Sequence, residues 1–153
     1  MIYIATYKSF NAIQNEINNR LVKAMTLTRD HIHKVLFKAV CAYYEEYTPV
    51  QYKRTGNLME SLSASKVYSD GNKISCSVGW DDDYLTFSYY KNIITGSTVL
   101  NLSFNNSMHG APAPYAVPGE HDFWDEAMEE LGGEEGIVNL FIGNCKKCGI
   151  PIQ

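Results

Sequence analysis

The sequence lacks the features by which many enzymes and membrane proteins are recognised. No stretch of its 153 residues approaches the roughly 18 apolar residues that a membrane helix needs, so we expect no membrane partner. A Gly-x-Ser-x-Gly nucleophile motif and a glycine-rich phosphate loop are both missing. The first seven residues have no basic flank and no small-residue cleavage site, so we expect no signal peptide. We therefore predict a non-enzyme that needs no cofactor.

Side chains that bind metals are few and poorly spaced. Cys145 and Cys148 form one Cys-x-x-Cys pair, whereas zinc usually takes two such pairs or a matching pair of histidines. They are weak metal candidates, and we expect an exposed thiol pair. Cys41 and Cys76 fall on apolar faces of a helix pattern and a strand pattern, which indicates small buried hydrophobes.

A second group carries residue types found in metal-dependent hydrolases. It consists of Glu120, His121 and Asp122, with His109 earlier in the chain. Their spacing matches no known ligand pattern, and Glu120 and Asp122 can instead cap a helix. We prefer the capping interpretation and keep a small metal-dependent hydrolase as the least favoured alternative.

Charge is distributed unevenly along the chain. Residues 1–80 hold ten basic and six acidic side chains, whereas residues 81–136 hold eleven acidic and one basic. Such a chain can associate head to tail with copies of itself. The alternative is that the acidic stretch is a solvated loop and helix. Either way the concentrated basic patch that grips nucleic acid is missing, so we expect no sequence-specific DNA binding.

The apolar pattern predicts an α+β fold that starts with a long helix. Apolar residues at spacings of three and four predict an amphipathic helix over 8–47, after an N-terminal arm at 1–7. Thr26 and Thr28 leave open whether it is one helix or two joined near 26–28. Pro49 ends it.

The rest of the chain alternates between strand and helix signals within one predicted domain. A short helix is predicted at 55–62, antiparallel strands at 63–104 around an Asp70-Gly71 turn, and a long loop at 105–119. A helix at 121–131 and a tail at 137–153 follow. We expect a sheet of about four strands, with the C-terminal helix on the same face as the long helix.

Two short motifs and their order carry a family resemblance. Thr-Gly-x-Leu-x-x-Ser-Leu follows the proline that ends the long helix, and an aromatic segment with alanine opens the last helix. In this respect the sequence resembles the tail-completion or neck (head–tail joining) proteins of long-tailed bacteriophages. The residues that carry the resemblance are Pro49, Thr55, Gly56, Leu58, Ser61, Leu62, Phe123, Trp124 and Ala127.

The resemblance implies a structural virion protein. It implies a homo-oligomeric ring, hexameric or alternatively dodecameric, that joins the head connector or adaptor to the tail tube or tail terminator and leaves a channel for DNA. Localisation would be the neck or tail of the virion, after assembly in the bacterial cytoplasm. A tail terminator and a head-side adaptor ring remain alternatives. An alternative of another class is a regulatory or inhibitory binding protein of a mobile element.

Two sets of residues are candidates for contacts in such a ring. Apolar and loop residues that lack an evident partner within the chain are candidates for contact with neighbouring subunits: His109, Pro112, Pro114, Tyr115, Ile137, Phe141, Ile150 and Ile152. The acidic residues Asp81, Asp82 and Asp83 are candidates for facing the channel, where repulsion would let DNA slide.

Overall fold

A computed structural model describes residues 9–45, 55–71, 73–104 and 123–152, and it confirms the α+β class. The described part of the chain begins with a long helix, continues through small antiparallel sheets, and ends with helices that pack against the first helix. Within these ranges no helix has the length and apolar character needed to cross a membrane. The elements are α1 Phe10–Glu45, α2 Asn57–Glu60, β1 Leu62–Ala64, β2 Tyr68–Ser69, β3 Ile74–Ser75, β4 Val78–Trp80, α3 Asp82–Leu85, β5 Phe87–Tyr89, β6 Asn92–Ile94, α4 Gly96–Phe104, α5 Phe123–Leu131 and α6 Gly133–Lys147.

Helix α1 is continuous through the two threonines that could have broken it. Its 36 residues span about 54 Å at 1.5 Å per residue. The Thr26 hydroxyl donates to the Val22 carbonyl at 2.8 Å, and the Thr28 hydroxyl donates to the Ala24 carbonyl at 3.0 Å. Because both hydroxyls bond to the preceding turn of the same helix, the β-branched residues are accommodated without a break.

Two groups of buried side chains line the C-terminal half of α1. Cluster one joins α1 to β1 and α5, and it consists of Val35, Leu36, Leu62, Ala127 and Leu131. Cluster two lies nearer the end of α1 and consists of Val40, Tyr43, Leu58, Leu85 and Phe123. The two clusters attach the later helices and the strands β1 and β4 to one half of a single helix.

Helix α6 replaces most of the predicted tail at 137–153, so that prediction was wrong for residues up to Lys147. Gly132 and Gly133 adopt left-handed φ values of 74° and 66°, which reverse the chain after α5 and let a new helix begin. Ile137 packs against cluster one, and α6 then runs antiparallel to α1 towards its N-terminal third. The glycine pair is a corner between two helices.

The strands form three separate antiparallel pairs, β1–β4, β2–β3 and β5–β6, where one sheet of about four strands was predicted. Residues 96–104 are helix α4, so the prediction of strands through 104 was also wrong. The Thr95 hydroxyl accepts a hydrogen bond from the Thr98 amide at 3.3 Å, as an N-cap does. This cap and the packing of Val99 and Leu100 on cluster two favour helix over the alternating pattern.

A buried polar contact fixes how α6 lies on α1. The Asn144 amide nitrogen donates to the Thr28 hydroxyl at 3.0 Å, and both residues are buried. We expect Thr28→Val to lower the free energy of unfolding by about 1–3 kcal/mol, since it strands a buried amide donor. The double variant Thr28→Val, Asn144→Leu should lose less than the sum of the two single variants. Urea unfolding of the four proteins measures this, and simple additivity would contradict the coupling.

Candidate functional site

The first family motif folds into a compact corner before β1. Gly56 has φ 81° and precedes the single turn of α2, a conformation that side chains other than glycine rarely adopt. Leu58 is buried in cluster two, and the Ser61 hydroxyl donates to the Leu58 carbonyl at 3.2 Å. Leu62 enters cluster one, while Thr55 is exposed. Each patterned residue from 56 to 62 therefore has a packing or backbone role.

The second motif anchors α5. Phe123 is 2% exposed and Ala127 is 1% exposed, whereas Trp124 lies at the surface with 37% of its area exposed. The Phe123 ring lies 5.2 Å from the Tyr43 ring and 5.8 Å from the Trp80 ring. Phe123, Ala127 and Leu131 are the buried residues of α5, and they hold this nine-residue helix against the rest of the fold.

The Cys-x-x-Cys pair is not the exposed thiol pair predicted above. Cys145 is fully buried against α1, and Cys148 ends α6 half-buried. Burial and the neighbouring Cys148 raise the pKa of the Cys145 thiol. A thiol that stays protonated at the C-terminal end of a helix is a poor nucleophile and a poor metal ligand.

Alkylation measures this difference directly. We expect iodoacetamide to modify Cys148 at roughly ten times the rate of Cys145 or more in the folded protein, because burial removes access and disfavours the thiolate. Peptide mass spectrometry after timed labelling gives both rates. Denatured protein is the control, in which the rates should converge; equal rates in the folded protein would contradict the burial.

The structure describes only some of the other residues that the sequence suggests for metal binding or subunit contacts. In the ranges that the structure describes, no group of three or more His, Cys, Asp or Glu residues is arranged to hold a metal. His31 is exposed, and the His33 ring stacks on Phe37 at 6.4 Å. Several predicted residues lie outside the described residues: Pro49, His109, Pro112, Pro114, Tyr115, Glu120, His121 and Asp122.

The C-terminal contact candidates are distributed differently from the prediction. Ile137 has a packing partner within its own chain in cluster one, which removes the reason for expecting it at a neighbour. Phe141, Ile150 and Ile152 are half-buried, and the Ile150 amide donates to the Cys145 carbonyl at 3.0 Å. Their contact with another subunit stays a prediction.

The three candidate channel residues form an exposed acidic turn. The Asp81 carboxylate accepts a hydrogen bond from the Tyr84 amide at 3.1 Å and caps α3, while Asp82 and Asp83 are exposed in its first turn. The Tyr84 hydroxyl donates to the Glu60 carboxylate at 2.7 Å, and this bond raises the pKa of Tyr84. The Asp82 and Asp83 carbonyls accept from the Thr86 amide, and Asp82 lies against Gly96 at the start of α4, while both side chains belong to exposed residues.

Beside this turn, the β5–β6 hairpin presents apolar side chains to solvent. We call Phe87, Tyr90 and Ile93, which are 50%, 88% and 71% exposed, together with Asp82 and Asp83, the hairpin surface. Tyr90 is the first residue of the two-residue turn and has φ 55°. An aromatic residue in left-handed conformation costs on the order of 1 kcal/mol, and such strain is concentrated at functional sites.

The N-terminal third of α1 presents a second apolar strip. Phe10, Ile13 and Ile17 are 77%, 37% and 47% exposed. An open cleft of about 470 Å³ lies between the neighbouring face of α1 and the end of α6. Its charged lining residues are Glu16, Arg20, Lys23 and Lys147. We call the strip and this lining the helix-end surface.

Within the helix-end surface, one cation is already paired. Arg20 bonds to the Glu16 carboxylate at 2.8 Å and to the Gly149 carbonyl at 2.9 Å, which ties the two helices together. Lys23 and Lys147 are exposed and leave the rim net positive. The helix-end surface therefore combines an apolar strip with a basic edge.

Sequence reasoning did not single out either surface as a site. Phe10, Ile13 and Ile17 were assigned to the buried stripe of a helix, and nothing in the sequence says that α6 ends before covering them. The sequence predicts strands at 84–90 and 92–104, which is wrong for Tyr84 and Leu85 because they belong to α3. An aromatic residue between two strands was the available signal for Tyr90. No protein-family model, no curated protein and no solved structure matches this chain.

Proposed function

We propose that this chain is a structural virion subunit that forms a ring at the neck, or head-proximal end of the tail, of a long-tailed bacteriophage. The ring would join the head connector to the tail tube and leave a channel for DNA. One observation carries the proposal: the helix-end surface, with Phe10 to Ile17, and the hairpin surface, with Phe87 to Ile93, both expose apolar side chains and carry net charges of opposite sign. A chain with two such surfaces is suited to bind copies of itself in series.

The order of elements supports the phage assignment. The Thr-Gly-x-Leu segment follows a long helix and leads into a series of short antiparallel strands, and the aromatic segment at Phe123 opens a helix that packs back on α1. The resemblance to neck proteins rests on these two motifs and on their order along the chain. The acidic outer residues of α5, which include Glu126 and Glu129, are exposed and are our candidates for the channel wall.

Complementation of a neckless phage tests the proposed function. Cells infected with a phage that lacks this gene should accumulate filled heads and separate tails, and purified protein added to that lysate should restore infectious particles. Gold-labelled antibody should then mark the head–tail joint. Labelling elsewhere, or joined particles formed without the protein, would contradict the proposal.

A further inference from the structure

We propose that the helix-end surface of one copy binds the hairpin surface of the next copy, head to tail. This inference rests on the proposed function, because it names the contact through which the ring would close. It goes further by assigning Asp82 and Asp83 to the contact between subunits and not to the channel.

The two surfaces lie at opposite ends of the molecule. Arg20 contacts the end of α6, which places the helix-end surface at the N-terminal third of α1. Leu85, the last residue of α3, packs with Tyr43 in cluster two, which places the adjoining hairpin at the C-terminal end. Residues 13 and 43 of a straight helix are about 45 Å apart. One copy therefore cannot cover its own helix-end surface with its own hairpin.

The exposed strip continues the stripe that is buried further along α1. Ile13 and Ile17 are four residues apart, Ile17 and Ala24 seven, and Ala24 and Thr28 four, so all face one side of the helix. Ala24 and Thr28 are buried, Thr28 by its contact with α6, but α6 ends at Lys147. Among the described elements none covers this continuation of the core stripe, and such a strip is a surface for another apolar element.

Charge identifies the hairpin surface as that element. Lys23 and Lys147 line the cleft between α1 and the end of α6, on the face of α1 next to the apolar strip. Asp82 and Asp83 precede the exposed Phe87 of the hairpin, and with the exposed Lys91 of its turn they leave the hairpin surface net negative. Pairing these surfaces places two carboxylates near two ammonium groups and covers both apolar sets together. Two copies joined through the same surface would instead bring together two surfaces of the same net charge. The contact is therefore heterologous, and repeated contacts of this kind close into a ring when the rotation allows.

Zero-length crosslinking tests the contact without any substitution. Carbodiimide joins a carboxylate to an amine only where the two are in contact. In an equal mixture of ¹⁴N- and ¹⁵N-labelled protein, we expect mixed-isotope crosslinks from Asp82 or Asp83 to Lys23 or Lys147. Reproducible crosslinks between copies that consistently avoid both surfaces would overturn the proposal.

Charge reversal with rescue gives an independent test. Asp82→Lys, Asp83→Lys should raise the dissociation constant between copies by on the order of tenfold to a hundredfold. Lys23→Glu, Lys147→Glu should weaken association similarly. Mixing the two variants should restore both kinds of contact, one with the native charges and one with the charges exchanged, and should give assemblies in which the variants alternate. Glu126→Lys, Glu129→Lys changes the net charge by the same amount on α5 and should leave association unchanged. If Asp82 and Asp83 faced the channel, their reversal would leave association intact, which would contradict the proposal.

Tyr90→Asn separates a role in the contact from a role in the fold. Asparagine tolerates left-handed backbone better than tyrosine, so the variant should unfold at the same temperature or a higher one. Its self-association should nevertheless weaken by roughly tenfold, because the most exposed aromatic of the hairpin surface is gone. Loss of thermal stability with association unchanged would sink the assignment. Wild-type rings with crosslinks elsewhere would refute this contact and leave the proposed function standing, whereas failure to join heads to tails would refute the function itself.

Discussion

Replacing Phe123 with alanine is expected to lower the free energy of unfolding by about 3–5 kcal/mol, the largest effect we predict for a core side chain. Its ring is 2% exposed and lies between the rings of Tyr43 and Trp80. The substitution removes apolar burial and leaves a cavity where α1, α5 and β4 meet. Urea unfolding followed by tryptophan fluorescence measures the loss.

Phe123→Leu is the matched control for that experiment. Leucine fills part of the site and removes only the ring contacts, so we expect a loss of less than half that of alanine. Trp124→Ala, at the neighbouring surface position, should also cost less, because Trp124 is 37% exposed. An alanine variant at 123 as stable as the wild type would contradict the role of this ring in holding α5 on α1.

Replacing Gly136 with alanine is expected to lower the free energy of unfolding by about 1–3 kcal/mol, although alanine normally favours a helix. A Cβ atom at this position would overlap the Leu131 carbonyl oxygen, because the chain doubles back at Gly132 and Gly133. The corner between α5 and α6 would have to open, which moves both helices on α1.

Gly143→Ala, in the same helix, is the control, and we expect it to change the stability in the opposite direction. Nothing lies within 4 Å of a Cβ at Gly143, so alanine should stabilise the protein by about 0.4–1 kcal/mol. Thermal unfolding of the two variants beside the wild type measures both effects. Equal and favourable effects at Gly136 and Gly143 would show that the corner is not as tight as described.

The two halves of this fold differ in how far the sequence predicts them. Helix α1 and helix α5 follow from apolar spacing, because each buries one stripe and exposes the other. Helix α4 does not follow, because Leu100, Leu102 and Phe104 alternate as in a strand, and a cap at Thr95 decides against the alternation. Local capping and contact with a distant core together outweigh a short periodic pattern.

Helix α6 was missed for a different reason. A Gly-Gly pair usually ends a helix and predicts a loop, whereas here Gly132 and Gly133 turn one helix directly into the next. Burial of Cys145 depends on where α6 lies against α1, and that placement comes from Asn144 and Thr28, which are 116 residues apart. Contacts at such separation have no signature in the local sequence.

Of the two candidate surfaces, only the uneven distribution of charge could be predicted from the sequence. The excess of basic residues before position 80 and of acidic residues after it predicts regions of opposite charge, which either serve head-to-tail association or are simply solvated. Which apolar residues stay exposed could not be predicted, because the answer depends on the point at which α6 stops covering the stripe of α1. Phe10 and Ala24 belong to the same apolar stripe in the sequence, but Phe10 is exposed and Ala24 is buried. Exposure depends on which elements pack against each residue.

The mass and shape of the purified protein test the central claim most directly. Light scattering coupled to size exclusion, with negative-stain images of the same fraction, should give a mass of several chains of 17.3 kDa and closed rings with an open centre. The mass should fall as Asp82 and Asp83 are reversed and should stay unchanged when Glu126 and Glu129 are reversed. A single 17.3 kDa species at every concentration up to the limit of solubility would contradict the account.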